Sequence, residues 1–185
     1  YFRIDRKKKI LVSSLLLALG YSKSDIVSEF YQKENYIYDE KILKWKTKFD
    51  PENYKAKNFS EEVIDSKTKK TVIKLGEKIN FLSAKKLAND GLKEIYVSNE
   101  SLFGKFLHKN IKSGDDDFKI GTELNDSIIQ NLIDNKIFSI DVAKTNSISK
   151  GPYLLQTLLN DKNETKNDAI TEIYKVLRPG EPPTI

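Results

Sequence analysis

Leu75-Gly-Glu-Lys-Ile-Asn80 and Ile120-Gly-Thr-Glu-Leu-Asn125 share one pattern, and the second follows the first at an offset of 45 residues. The same offset relates the apolar residues after each motif, which pair as Leu87 with Leu132, Leu92 with Ile137, Ile95 with Ile140 and Val97 with Val142. Each copy predicts a glycine turn, a short strand, a short helix (83–89 and 126–134) and another strand (Glu94–Ser98 and Ser139–Ala143). Two copies are too few for a solenoid, so we expect a pseudo-symmetric module in which each copy buries the other's apolar face.

The residues around the first copy also favour strands. Over residues 36–49 apolar side chains alternate with lysines, which is typical of a half-exposed strand. Short strands are predicted at Val63–Ile64 and Thr71–Lys74, with Asp65–Thr68 as the turn between them. Between the two copies, Leu102–Ile111 is predicted to form a further strand.

Both ends of the chain favour helices. Val12, Leu15, Leu16 and Leu19 follow the spacing of one helical face, and Gly20 is a suitable stop. Ser22-Lys-Ser-Asp25 resembles a capping box for a second helix with Ile26, Val27 and Phe30 on its apolar face. Residues 10–31 therefore predict a helical hairpin. We interpret it as core packing, because a DNA-reading hairpin needs a polar recognition helix that is missing here.

After a polar linker at 144–150, Gly151-Pro-Tyr153 begins a new segment. Asn167 is predicted to cap a helix whose core face carries Ile170, Ile173, Tyr174 and Leu177, and Pro179 and Gly180 end it. The predicted fold class is α+β. Helical outer segments, 1–32 and 151–185, flank an inserted β-rich module, 33–150, that contains the 45-residue repeat.

The composition excludes several kinds of site. The 185 residues contain no cysteine, which rules out disulfides, thiolate nucleophiles and cysteine-based metal sites. The longest apolar run, Leu15–Leu19, is too short to span a membrane. Methionine is absent as well, even at position 1, and we expect the chain to have been excised from a longer one. The net charge of +5 is mild for a nucleic-acid-binding protein.

The arginines are the most informative charges. Arg3, Arg6 and Arg178 are the only arginines among 32 basic residues, and all three lie in the end segments. Arg3, Arg6, Lys7, Lys8 and Lys9 form a dense basic run that would contact phosphates or, equally well, form a solvated or subunit-facing surface. Neutralising about four phosphates would give a salt slope of about −3.6, at about −0.9 per phosphate. Asp5 within the run predicts an internal arginine–carboxylate pair.

No self-contained active site is evident from the sequence. Asp115-Asp-Asp117 could hold a hard cation, but the preceding Gly114 favours a solvated turn. His108 is the single histidine and has no partner at motif spacing, which argues against a general base. The sequence has no phosphate-binding glycine loop, nucleophile elbow or H-E-x-x-H motif.

Four strings of the chain, in this order, resemble the bacterial RNA polymerase beta subunit. They are Phe2-Arg-Ile-Asp-Arg-Lys-Lys-Lys9, Ala18-Leu-Gly-Tyr21, Gly151-Pro-Tyr153 and Glu172-Ile-Tyr-Lys-Val-Leu-Arg-Pro-Gly-Glu-Pro-Pro-Thr184. The middle resembles, more loosely, the lineage-specific insertion that many beta subunits carry at this point. The sequence departs from the family at Leu11, where proline is usual, and at Leu17, where a basic residue is common.

The resemblance implies that the end segments belong to the lobe, the second domain of beta, which forms one wall of the DNA channel. By the match of its motif, Arg178 is the best candidate for a contact with the non-template strand, and Arg3, Arg6 and Lys7–Lys9 are weaker candidates. The resemblance also implies DNA and the alpha, beta-prime, omega and sigma subunits as partners, with possible regulators bound at the insertion. It implies no contact with a membrane and a location in the bacterial cytoplasm with the nucleoid. No catalytic residue or cofactor is expected in this chain, because the magnesium-binding aspartates of the family belong to beta-prime.

Two further hypotheses compete with a polymerase fragment. A free-standing nucleic-acid-binding or protein-interaction module would bind DNA with appreciable affinity, whereas one wall of a channel would bind it weakly, in the range of about 10⁻⁴ to 10⁻⁶ M typical of non-specific binding. A small enzyme is the third hypothesis, and no motif supports it. The parent reading frame would separate the first hypothesis from the others, since it must extend far beyond this chain.

Overall fold

Short apolar runs interrupted by glycines and polar turns fold into helices and strands in comparable proportion. The computed structural model describes residues 1–54, 57–58, 62–146 and 150–183, without the side chains of residues 57 and 58. About 35% of the chain is helical and 26% is strand, so the α+β class is confirmed.

The elements are short. In chain order the strands are β1 Phe2–Asp5, β2 Lys8–Ile10, β3 Lys33–Asp39, β4 Lys44–Lys48, β5 Lys57–Asn58, β6 Val63–Asp65, β7 Thr71–Ile73, β8 Lys78–Ile79, β9 Glu94–Val97, β10 Phe106–Leu107, β11 Ile111–Ser113, β12 Asp116–Phe118 and β13 Ser139–Ala143. The helices are α1 Val12–Ala18, α2 Lys23–Phe30, α3 Phe81–Asn89, α4 Asp126–Asp134, α5 Tyr153–Asn160 and α6 Lys166–Leu177, and 3-10 turns cover Pro51–Tyr54 and Asn99–Leu102.

The chain divides into two compact units. Unit 1 comprises Tyr1–Lys33, Lys105–Glu123 and Val142–Ile185, and unit 2 comprises Glu34–Gly104 and Leu124–Asp141. The predicted cut near Gln32 lies close to the end of the first segment of unit 1. The predicted module of residues 33–150 differs from unit 2, because Lys105–Glu123 belongs to unit 1.

Unit 1 is a helical core with small hairpins. Its buried cluster joins α1, α2, α5 and α6 to β10 and the end of β13, and it contains Leu17, Ile26, Val27, Tyr31, Phe106, Ile120, Ala143, Leu155, Leu158 and Ala169. The Tyr31 hydroxyl donates to the carbonyl of Gly151 over 2.8 Å, which satisfies its polar end inside the core. Leu17 stands where a basic residue is common in the family, and here its side chain is part of the core. It is 1% exposed, so a charge at this position would have to be buried.

Unit 2 is built on a sheet of strand order β13-β3-β4-β9-β6-β7. Trp45 is fully buried on its inner face, with the Tyr38 ring 5.1 Å away and an N–H that donates to Asn99 Oδ1 over 2.9 Å. The predicted strand over residues 36–49 is in fact two strands, β3 and β4, because Leu43 adopts a φ of 55° in the turn between them. The predicted strands at 63–64 and 71–74 are present as β6 and β7.

The helical ends are present, with two corrections. The helix predicted to be capped by Asn167 is α6, which begins at Lys166 and is capped by Thr165. The Thr165 hydroxyl accepts the Asp168 N–H while the Asp168 carboxylate accepts the Thr165 N–H. A reciprocal capping box takes precedence over a single asparagine cap because it satisfies two helix-end groups. α5 was not predicted, since Pro152 supplies no side-chain cap. The Ser22–Asp25 capping box is confirmed at the start of α2.

The predicted strand at Leu102–Ile111 is wrong. Leu102 ends a 3-10 turn, Gly104 has a φ of 74°, and Phe106–Leu107 forms only a two-residue strand before Ile111 opens the β11–β12 hairpin. In the two repeat copies, Asn80 and Asn125 cap α3 and α4, and β9 and β13 follow. That the copies pack as pseudo-symmetric halves remains an interpretation.

Candidate nucleic-acid interface

The basic run forms a β-hairpin, although the sequence had predicted only a charged lead into a helix. β1 and β2 pair antiparallel, with Phe2 opposite Ile10 and Arg3 opposite Lys9. Successive side chains of a strand point to opposite faces, so Arg3 and Lys9 share the face turned away from the buried Ile10. Arg6 and Lys7 form the exposed turn.

Lys8 connects this hairpin to the other basic segment. It lies two residues before Ile10 and therefore faces inward, where its Nζ donates to the carbonyl of Leu177 over 2.9 Å. Leu177 is the last residue of α6, and a cation at a helix C-terminus is stabilised by the helix dipole. Residues 169 positions apart in the sequence thus come into contact, and Arg178 is the next residue.

Arg178 is the C-cap of α6 and lies at the surface. Its side chain is 64% exposed, its Nη1 lies 3.2 Å from Glu181 Oε2, and its guanidinium carbon lies 6.0 Å from the centre of the Tyr174 ring. The Tyr174 hydroxyl donates to the same Glu181 oxygen over 3.2 Å. An exposed ion pair of this kind contributes at most about 1 kcal/mol. A phosphate can therefore compete with Glu181 for the guanidinium.

We call the hairpin together with the C-terminal end of α6 the basic end surface. It contains all six predicted site residues, Arg3, Arg6, Lys7, Lys8, Lys9 and Arg178, together with the acids Asp5 and Glu181. Asp5 Oδ1 accepts the backbone N–H of Arg6 over 2.6 Å, and an arginine–carboxylate pair joins Arg178 to Glu181. Lys9 Nζ lies 4.5 Å from the centre of the Tyr1 ring.

This surface is suited to phosphate contacts. Its cations are exposed or half-exposed, and guanidinium forks and ammonium groups bind phosphate oxygens by charge-assisted hydrogen bonds. Contacts of this kind position a protein on nucleic acid without reading its sequence.

A buried polar cluster in unit 1 was missed by sequence reasoning. Asp161, 3% exposed, accepts hydrogen bonds from the hydroxyls of Ser13 and Ser14 and from the Asn163 N–H. The Asn163 amide in turn donates to Glu172. Because these residues are up to 159 positions apart in the chain, no local spacing could have signalled them. The cluster fixes α1 against the connection between α5 and α6.

Glu164 lies beside this cluster at the surface. Burial raises the pKa of its carboxyl, but the ammonium groups of Lys23 and Lys119, each 3.1 Å from Oε1, outweigh burial and hold the pKa below its usual range. Lys23 thereby links α2, and Lys119 the segment after β12, to the residues that precede α6.

The other candidates from the sequence lie in different elements. Asp115 lies in the turn of the β11–β12 hairpin and Asp116 and Asp117 in β12, while His108 is buried with Nε2 3.4 Å from the carbonyl of Tyr31. Within residues 1–54, 57–58, 62–146 and 150–183 there is no group of three or more possible metal ligands. No helix in these ranges is long and apolar enough to cross a membrane.

The chain was compared with known proteins. No family model matches it. It is 36% identical over 191 aligned residues to the DNA-directed RNA polymerase subunit beta of Rickettsia felis and to that of Rickettsia conorii, and 35% identical over 188 residues to that of Rhizobium leguminosarum bv. trifolii. Each alignment includes the whole of this chain, so the middle segment is matched as well as the ends. The chain spans 14% of the length of these relatives.

Proposed function

Since the chain is homologous along its whole length to a segment of the bacterial DNA-directed RNA polymerase beta subunit, we propose that it is a non-catalytic part of that subunit and forms part of the wall of the DNA channel. The basic end surface would face the DNA, with Arg178 as the principal contact and Arg3, Arg6, Lys7, Lys8 and Lys9 around it. Unit 2 would be the exposed insertion, available to regulators.

One observation carries the proposal. Lys8 donates to the carbonyl of Leu177, which places the two arginine-bearing end segments on one surface. A continuous set of cations follows the phosphate backbone better than two separate ones, and it binds any sequence. This is the behaviour expected of a channel wall rather than of a sequence reader.

The parent assembly would supply what this segment lacks. Catalysis of nucleotidyl transfer would belong to the polymerase, with its magnesium held by aspartates of another subunit. The proposed partners are DNA and the alpha, beta-prime, omega and sigma subunits, and the proposed location is the cytoplasm with the nucleoid. A repeat-built module flanked by helical lobe segments is part of the same proposal.

The test is a salt titration of the 185-residue chain against a fluorescent DNA duplex. We expect a Kd of about 10⁻⁴ to 10⁻⁶ M near physiological salt and no preference for DNA sequence. The slope of log affinity against log salt concentration should correspond to a few neutralised phosphates. Sub-micromolar, sequence-selective binding would support the alternative of a free-standing nucleic-acid-binding module. In the whole polymerase, Arg178→Ala is expected to shorten the open-complex lifetime, and an unchanged lifetime would remove Arg178 from the DNA contacts.

A further inference from the structure

Unit 2 carries a groove on the outer face of its sheet. The groove has a volume of about 910 Å³, within the range of sites that enclose ligands of modest size. Four lysines and two acids line it, namely Lys46, Lys48, Lys67, Lys93, Asp65 and Glu94. These six residues carry a net charge of +2.

Strand register determines which side chains reach the groove. Lys46 stands opposite Tyr96 and Lys48 opposite Glu94 across β4 and β9, while Ile64 of β6 stands on the other side of Tyr96. Trp45, which precedes Lys46 in the sequence, points to the core. The lysines of β4 therefore share the outer face because side chains alternate along a strand.

Both acids of the groove are engaged by neighbouring groups of unit 2. Hydrogen bonds from the Thr68 hydroxyl, 2.6 Å, and from the Lys67 N–H, 2.9 Å, lower the pKa of Asp65. Glu94 Oε2 lies 3.5 Å from the Ser66 hydroxyl and 3.8 Å from Lys46 Nζ. Within the described residues, Lys48 and Lys93 are exposed and form no ion pair.

The bottom of the groove is closed by side chains that are almost fully buried. Phe49 and Leu92 are 4% and 8% exposed, and the Phe49 N–H donates to the carbonyl of Lys93 over 2.8 Å. Tyr96 is held from both sides, since Lys69 Nζ donates to its hydroxyl over 2.8 Å and the hydroxyl donates to Asp39 Oδ2 over 2.7 Å. A second depression of about 270 Å³ shares Lys46 and Tyr96 with the groove and lengthens it toward Asp39.

From this arrangement we propose that the groove binds an acidic, extended polypeptide segment of a partner protein. Carboxylates of the segment would reach Lys48 and Lys93, and its apolar side chains would lie over the small exposed edges of Phe49 and Leu92. This inference rests on the proposed function in that it names the class of partner for unit 2.

A polypeptide fits the groove better than nucleic acid. Asp65 and Glu94 would repel a phosphate on every nucleotide, whereas a peptide can place a neutral residue beside them. Alternate residues of an extended chain also point to opposite sides, so every second side chain of an acidic segment can face the lysines of the groove. Charge complementarity of this kind sets partner choice and association rate.

The probe is a fluorescein-labelled peptide of alternating glutamate and leucine, about eight residues and at most about 28 Å long. It is titrated into the full 185-residue chain, and anisotropy is measured. We expect saturable binding that weakens about fivefold or more in the double variant Lys48→Glu, Lys93→Glu, since each reversal replaces an attraction by a repulsion. The milder pair Lys48→Gln, Lys93→Gln tests the same point if the reversal disturbs folding.

The matched control is Lys85→Glu, Lys86→Glu, which makes the same charge change on the exposed surface of α3. Equal loss in the groove pair and in this control would overturn the proposal, and so would no saturable binding up to millimolar peptide. A labelled single-stranded oligonucleotide that binds more tightly than the peptide and depends on the same lysines would also overturn it. Arg178→Ala is expected to leave peptide binding unchanged, so a failure at the basic end surface is distinguishable from a failure here.

Discussion

Gly121 shows how one residue can limit the packing of unit 1. Its φ is +84°, and its N–H donates to the carbonyl of Leu107 over 2.9 Å. A Cβ at this position would lie 2.4 Å from the carbonyl oxygen of Leu155 in α5. Glycine is required both by the backbone conformation and by the close approach of the helix.

Gly121→Ala is therefore expected to destabilise the chain by about 3 kcal/mol or more, combining backbone strain with overpacking against a helix backbone. Gly20→Ala is the matched control, because Gly20 has a φ of +105° and open space around it. Gly20→Ala should lower the free energy of unfolding by only about 1–2 kcal/mol, because backbone strain is its single cost. Urea unfolding of the two variants measures the difference, and equal losses would contradict the packing argument.

Substitutions of Arg178 and Glu181 are expected to change DNA affinity in opposite directions. Arg178→Ala would remove the proposed phosphate contact, so duplex affinity should fall and the salt slope should decrease by about 1. Glu181→Gln removes the competing carboxylate, so affinity should rise. Anisotropy of a labelled duplex over a series of salt concentrations measures both.

Lys166→Ala provides the control for charge alone. Lys166 lies at the other end of α6, about 18 Å away along a twelve-residue helix. Its loss should lower affinity less than the loss of Arg178. If the two variants weaken binding equally, the basic end surface is not the site.

At the scale of the element, two capping boxes fix the starts of α2 and α6. Side-chain hydrogen bonds from Ser22 and Thr165 are the largest causes that lower the pKa of Asp25 and Asp168, respectively. A carboxyl with a lowered folded pKa stabilises the fold above its unfolded pKa, and that stabilisation is lost as pH falls through the folded value.

We therefore expect the urea midpoint to decline below about pH 4, near the unfolded pKa of aspartate. Asp168→Asn should be less stable at neutral pH and should lose less on acidification, because the titrating carboxyl is gone. Unfolding midpoints at a series of pH values would check this. A variant whose midpoint declines in parallel with the parent chain would exclude Asp168 as a contributor.

At the scale of the whole molecule, the ends of the chain are joined by a buried polar network and by a hydrogen bond at the surface. Asp161 accepts hydrogen bonds from the hydroxyls of Ser13 and Ser14, and both serines are fully buried. At the surface, Lys8 Nζ donates to the carbonyl of Leu177. Low-dielectric surroundings make such a network stabilising when it is complete and costly when one member is removed.

Asp161→Ala is expected to cost about 3 kcal/mol, since it leaves two buried hydroxyls without their acceptor. Asp161→Asn, which keeps one acceptor oxygen, should cost less. Asp115→Ala, in an exposed hairpin turn, should stay within about 0.5 kcal/mol of the parent chain. Equal stability of all three variants in urea would show that the network is not stabilising.

Much of the fold was accessible from local sequence. The capping box at Ser22, the helices after Asn80 and Asn125 and the strands at residues 63 and 71 follow from periodicity and turn chemistry. The errors occurred where competing local signals were close together, as with Thr165 and Asn167, or where a glycine interrupted an apolar run, as at Gly104. The candidate residues of the basic end surface were all named from sequence, but their common surface was not.

The sequence by itself determined the starts of several elements, α2 and α4 among them, because capping, glycine turns and side-chain alternation act over a few residues. It also placed every arginine in the two end segments. The tertiary structure alone decided that Lys8 meets Leu177, that Asp161 meets Ser13 and Ser14, and that Lys48 and Lys93 line one groove. These pairings depend on how apolar faces pack over long stretches of chain, and no local pattern encodes the register of that packing.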